Sequence, residues 1–178
     1  MTKPRTHLLY FTVALAFLAL DLWSKHAAFA RIPPGGAYVV WEGVFELNPI
    51  RNPGMMWGGF QDVPAHWWVV LRGSVLIGLV WLYFSLGNRA WIVQVAFGLV
   101  TAGAMGNIYD NVFGGVPLGL GYFAGAVRDF LRITLFRFPT FNVADSCICV
   151  GAPLLLIILW NHDRRRVPSP RPSEGIAG

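Results

Sequence analysis

The chain has 178 residues, room for one domain, and is 55% hydrophobic but only 13% charged, with a mean hydropathy of +0.52. Soluble domains run about 25% charged and about 45–50% apolar, so the composition excludes an ordinary water-soluble protein. A net charge of +5 would suit nucleic acid, but the basic residues flank apolar runs or gather in the tail "DRRRVPSPRPSEG", which is a topology signal and not a nucleic-acid footprint.

Four apolar stretches approach the roughly 20 residues that cross a bilayer. The first, "HLLYFTVALAFLALDLW", covers 7–23. Lys3, Arg5 and an Ala28-Phe29-Ala30 site give it a look of a cleaved signal peptide, but Asp21 and Lys25 intervene and the site lies too far past the apolar core, so a retained span is expected. The outer segment that follows, "AYVVWEGVFELNPIRNPGMMWGGF", sets β-branched and aromatic residues around a Glu-Gly pair and predicts a short hairpin or small sheet on the membrane. Spans two and three are expected at 67–86 and 91–113. The stretch "GGVPLGLGYFAGAVRDFLRITLFRFP" is apolar, glycine-rich and too interrupted to span, which predicts a re-entrant or interfacial segment. The fourth span is expected at 141–160. Its Cys147 and Cys149, two apart, point about 200° away from each other on a helix, so they read as small packed residues, not as a disulfide or metal pair.

The expected architecture is an all-α membrane protein, a four-transmembrane-helix bundle with a small extracytoplasmic β-sheet and an interfacial segment. One domain covers 1–163, and a basic, disordered cytoplasmic tail covers 164–178. If spans alternate, Lys3, Arg5, Arg89 and the cluster Arg164, Arg165, Arg166 share the cytoplasmic side, with both termini there. Lys25, Arg31, Arg51, Arg128, Arg132 and Arg137 weaken that bias on the other side.

Alternation also gathers polar residues at one depth. Asp21 ends the first span, Arg72 is near the start of the second, Asn107, Asp110 and Asn111 end the third, and Asn142 and Asp145 begin the fourth. Ionisable groups inside a membrane usually face a bundle interior or wet cavity and mark function. The plainer reading of each one is a cap or an interfacial ion pair; Asn142, for instance, is positioned to cap the fourth helix with Asp145 at its third residue.

His7, His26, His66 and His162 are scattered over both sides, which argues against a zinc cluster. Ser146 has no helix-borne histidine beside it, and "GNIYDNVFGG" lacks the lysine of a phosphate loop. No metal or cofactor is expected. Of nine acidic residues, Asp163 and Glu174 fall on the wrong side, and Glu42, Glu46 and Asp62 lie in a solvated loop. Asp21, Asp110, Asp129 and Asp145 remain. Two adjacent carboxyls share a proton, so one can activate water while the other protonates a carbonyl oxygen. The residues alone leave open which two meet.

In order along the chain stand "DLWSK", "RNPGMMWG", "GAMGNIYD", "VRDF" and "FNVADS". Each motif is weak alone, but the five together, in this order and on four spans, resemble the lipoprotein signal peptidases (signal peptidase II), aspartyl proteases of the bacterial inner membrane. The resemblance implies a catalytic pair of Asp129 and Asp145. It implies that Asn52, Gly54, Gly103, Asn107, Asn142 and Ala144 contact substrate or orient the pair, and that Asp21, Lys25 and Asp110 tie span ends together. It implies a diacylglyceryl prolipoprotein as substrate, cut just before the lipidated cysteine near the extracytoplasmic face, with membrane lipid as the other partner and no nucleic acid. A monomer is expected.

Three departures stand out. The family's usual "NTGAAFG" is here "NPGMMWG", with bulkier Met55, Met56 and Trp57. The arginine that usually follows the third-span aspartate is Asn111, which leaves Arg72 or Arg128 to supply a cation to Asp110. The stretch between Asp110 and Asp129 is also longer and richer in glycine. The alternative reading is a non-catalytic helical membrane protein that binds lipidated peptide, lipid or an ion through the same polar cluster.

Overall fold

The computed structural model describes residues 7–53, 65–86, 90–114, 126–136 and 138–164. Among these residues four helices are long and apolar enough to cross a membrane: α1 (Leu8–Arg31), α2 (Ala65–Ser85), α3 (Trp91–Phe113) and α4 (Val143–Arg164). Three strands, β1 (Tyr38–Trp41), β2 (Phe45–Asn52) and β3 (Val127–Ile133), form one antiparallel sheet in the order β1-β2-β3.

The helices divide into a centre and a jacket. In α3, 72% of the apolar window is buried against protein, compared with 22% in α1, 11% in α2 and 22% in α4. A helix that is apolar all round yet mostly exposed in isolation is one that faces lipid. So α3 is the post around which the other three pack. Gly103 lets α4, and Gly106 lets α1, approach it closely: a Cβ at Gly103 would collide with the Ala144 carbonyl, and one at Gly106 with the Asp21 carboxylate. At the end of the bundle away from the sheet, Tyr10, Tyr83, Phe97, Val93, Ala96, Val100 and Leu155 form an apolar cluster, with the Tyr10 and Tyr83 rings stacked at 4.2 Å.

Helix α1 continues two turns past the stretch read as apolar. Asp21, Lys25 and Ala28, four and three apart, are all buried on one face, and their polar groups are satisfied inside the bundle. The expected hairpin is present as β1 and β2, joined through Gly43 at φ 71°, a left-handed conformation that glycine adopts at no steric cost. Pro49, which cannot donate to a ladder, sits where the β2–β3 register shifts between Leu47 and Ile50. The stretch expected to be re-entrant or interfacial is, where described, strand β3 and a turn: residues 127–133 extend the sheet that the sequence suggested only for the first outer segment.

Several of the cations that weakened the charge bias are engaged within the fold. Lys25 and Arg128 are in buried ion pairs, Arg132 pairs with Glu46 at 3.2 Å, and Arg51 donates to the Gly114 carbonyl at 2.7 Å. The Arg132–Glu46 pair is exposed and contributes little to stability. Gly54, Met55, Met56 and Trp57, most of the stretch between Asp110 and Asp129, Lys3, Arg5, Arg89 and the tail from 165 lie outside the described residues.

Candidate active site

A backbone clamp joins β3 to the start of α4. The N–H groups of Phe130 and Leu131 donate to the Phe141 carbonyl at 3.0 and 2.9 Å, and the Phe141 N–H returns to Leu131 at 3.0 Å. Asn142 follows directly and begins α4, so an acid on the strand is brought against an acid in the first turn of the helix. Strand alternation puts Val127, Asp129 and Ile133 on one face, where all three line a cavity of about 490 Å³. Arg128 points the opposite way.

Asn142 organises both acids. Its Oδ1 accepts the Asp145 N–H at 2.8 Å, while Asp145 Oδ2 accepts the Asn142 N–H at 3.2 Å, a reciprocal cap of the helix start. Its Nδ2 donates to Asp129 Oδ1 at 2.7 Å and, at longer range, to Asn107 Oδ1 at 3.2 Å. Asn52 Nδ2 reaches Asp129 Oδ2 at 3.0 Å, and Asn107 Nδ2 reaches Asp145 Oδ1 at 2.8 Å. Each carboxyl oxygen of Asp129 and Asp145 thus receives one amide N–H, from Asn52, Asn107, Asn142 and the helix backbone. These donors fix both acids in orientation while leaving them open to the cavity, which Asn52, Asn107, Asp129, Asp145 and Ser146 all line. Asn142 and Asp145 thus cap α4, and Asp145 also borders the cavity.

Asp129 is 2% exposed. Burial, reinforced by the negative charge of Asp145, pushes its carboxyl up to about 7, against the opposing pull of the Asn52 and Asn142 hydrogen bonds and of Lys25. Such a carboxyl keeps its proton to far higher pH than an exposed aspartate does.

Behind the pair lies a second layer, in which Asp21, Lys25 and Asp110 are buried and Arg128 is mostly so. Lys25 Nζ contacts Asp21 Oδ2 at 2.7 Å and Asp110 Oδ2 at 3.0 Å, and donates to Asn107 Oδ1 at 3.3 Å. Asp110 Oδ1 accepts Arg128 Nη2 at 2.7 Å and Nε at 2.8 Å, and its Oδ2 accepts the Arg128 N–H at 3.0 Å. Of the two candidates to replace the missing neighbour of Asp110, Arg128 takes the role. Arg72 instead donates through Nη1 to Asn111 Oδ1, lies 5.9 Å from the Trp68 ring centre, and lines the cavity. Asp21 Oδ1 accepts the Ala144 N–H at 2.9 Å, placing a carboxylate at the N-terminus of α4, where the helix dipole favours it. The layer links α1, α3, β3 and α4.

Ala144 and Gly103 sit at the α3–α4 contact and do not line the cavity; their part is to let the helices close up. Ser146 Oγ donates to the Asn142 carbonyl at 3.0 Å, which commits its proton to the backbone. Sequence reasoning missed the Phe141 clamp and the apolar wall of the cavity, where Ile133, Phe138, Phe141, Ile148 and Val150 gather. The wall residues of α4 were visible only as ordinary span residues.

An acid that holds a proton near neutrality, set close to a second acid over an open cavity, can hydrolyse an amide with water alone. Comparison with known proteins agrees. The family model for signal peptidase (SPase) II matches residues 13–161. The chain is 31% identical over 166 residues to a lipoprotein signal peptidase of Oleidesulfovibrio alaskensis, covering 90% of this chain and 99% of that one. It is 33% identical over 168 residues to one of Gloeobacter violaceus, covering 92% and 88%. Among solved structures, a bacterial membrane enzyme determined by the in meso method at 2.3 Å superposes with a TM-score of 0.73 at 25% identity, covering 90% of this chain and 93% of that one. From the matched span, the level of identity and the shared fold together, the chain belongs to the signal peptidase II family.

Proposed function

We propose that this protein is an intramembrane aspartyl endopeptidase that removes the signal peptide from diacylglyceryl-modified prolipoproteins, cutting just before the lipidated cysteine. The observation that carries the reading is Asn142, which bonds Asp129 with its side chain and Asp145 with its backbone at one cavity. Family membership and the names of the similar proteins support the substrate class.

In this mechanism Asp145 accepts a proton from water while Asp129 gives its proton to the scissile carbonyl oxygen. Water oxygen bonds to the carbonyl carbon, and a proton passed back to the amide nitrogen releases the amine as the C–N bond breaks. The peptide lies over the polar end of the cavity, and the acyl chains run along the wall of Ile133, Phe138, Phe141, Ile148 and Val150 toward the bilayer. The site faces the extracytoplasmic side of the cytoplasmic membrane, with both termini cytoplasmic. All residues of the pair and its supports come from one chain, so a monomer suffices.

The direct test uses purified protein and one precursor, with and without the diacylglyceryl group. The lipidated form is cut before its cysteine, as read by mass spectrometry, and the unmodified form at least about 100-fold more slowly, because remote binding energy holds the bond in place. Equal rates on both forms, or no cutting of either, would remove this function.

The pH profile is a second expectation. The pair needs one proton, and Asp129 loses its proton through about 7. Activity therefore falls as pH rises through that region, about tenfold per unit further on. Asn52→Leu removes a donor that favours the charged form of Asp129, so the alkaline limb of kcat/KM against pH moves upward.

A further inference from the structure

The charges of the buried layer cancel. Asp21 and Asp110 are negative, Lys25 and Arg128 positive, and each is paired within the layer. A dyad that works with one proton carries a single negative charge, and that layer has none left to balance it. On β2, Arg51 is committed to the Gly114 carbonyl and to the Phe29 ring, and Asn52 is uncharged. On α4 the polar groups at the cavity are Asp145 itself, Ser146 and the Cys149 thiol, none of them a cation, and on α3 they are the neutral Asn107 and, beside Arg72, Asn111. Arg72 of α2 is different. It lines the same cavity as Asp129 and Asp145, within electrostatic reach of both, and forms no ion pair within 4 Å among the described residues. Asn111, 3% exposed, accepts from its guanidinium, and the Trp68 ring lies beside it.

Resting on the peptidase reading, we propose that Arg72 is the counter-ion of the acid pair: held by Asn111, it keeps the dyad in its singly ionised, working form. Arg72 acts through the two carboxyls and is a positioning residue in the electrostatic sense. It suits the place because a guanidinium stays charged when half-buried and has donors to spare for Asn111. A cation at this distance favours ionisation, so its removal moves both limbs of the pH profile toward higher pH.

The test measures kcat/KM against pH for wild type, Arg72→Gln, Arg72→Lys and Asn111→Leu on the lipidated precursor, with melting temperatures in detergent alongside. Arg72→Gln is expected to shift both limbs upward by about one unit, the scale of one partly screened charge. Arg72→Lys keeps the charge and stays near wild type. Asn111→Leu shifts both limbs in the same direction by less. If Arg72→Gln lowers the rate without moving the limbs, the counter-ion role is wrong and Arg72 serves packing only. If Arg72→Gln does not fold, Asn111→Leu and Arg72→Lys decide: unmoved limbs in the first, or a glutamine-like failure of the second, overturn the proposal. A wild type that leaves the precursor uncut defeats the peptidase reading itself, a separate outcome.

Discussion

Asparagine at either Asp129 or Asp145 lowers kcat/KM on a lipidated precursor by at least about 1,000-fold, while the protein stays folded. On the proposed mechanism the two acids divide one proton between them, and an amide can neither take a proton from water nor hand one to a carbonyl at neutral pH. The loss has a geometric part as well. Asp129 accepts from Asn52 and Asn142, so an amide in its place sets an N–H₂ against a donor on at least one side. At Asp145 the helix cap survives only if the amide oxygen faces the Asn142 N–H, which turns its N–H₂ toward the Asn107 donor. Loss of the cap interaction costs about 1 kcal/mol, too little to unfold the bundle. Processing is followed on gels and folding by thermal melting. If either variant cuts at more than a few per cent of the wild-type rate, the pair is misassigned.

Lys25→Met is expected to be the most destabilising single change outside the apolar core. Lys25 is fully buried between Asp21 and Asp110, and its loss leaves the layer with two carboxylates and only Arg128. Breaking a buried pair from one side costs about 3–5 kcal/mol, because the surviving charge has neither water nor a partner. Adding Asp21→Asn restores neutrality, and the new side chain keeps an oxygen for the Ala144 N–H. The double variant should therefore melt well above Lys25→Met alone. Equal melting of the two would show that lost packing, not unpaired charge, dominates at Lys25. Activity falls in both, since Asn107, which orients Asp145, also loses the Lys25 hydrogen bond.

The sequence by itself determined the class of solvent and gathered several acids at one end of the bundle. Runs of about 20 apolar residues have few options in a bilayer other than helix, and alternation then carries Asp21, Asp110 and Asp145 to one end whatever the packing. The first-turn signal of α4 was also local: an asparagine three residues before an aspartate caps a helix in any context. Even the length of α1 was open, because hydropathy stops at Asp21 while the helix goes on as long as its polar side chains find partners inside the bundle.

Residue types alone left open which acids meet; the resemblance implied Asp129 and Asp145, and the tertiary structure brings those two to one cavity. Asp129 lies in a stretch whose apolar, glycine-rich composition suits a surface loop as well as a strand, and its strand state depends on pairing with β2 and on the Phe141 clamp, contacts remote in sequence. The choice of Arg128 over Arg72 as the partner of Asp110 was of the same kind. Residue type supplies a charge, but strand alternation aims Arg128 at the buried layer, and the position of α2 leaves Arg72 on the cavity. Local propensity acts over a few residues, whereas the site is a meeting of β2, β3, α3 and α4, and only their packing sets the distances on which proton transfer depends.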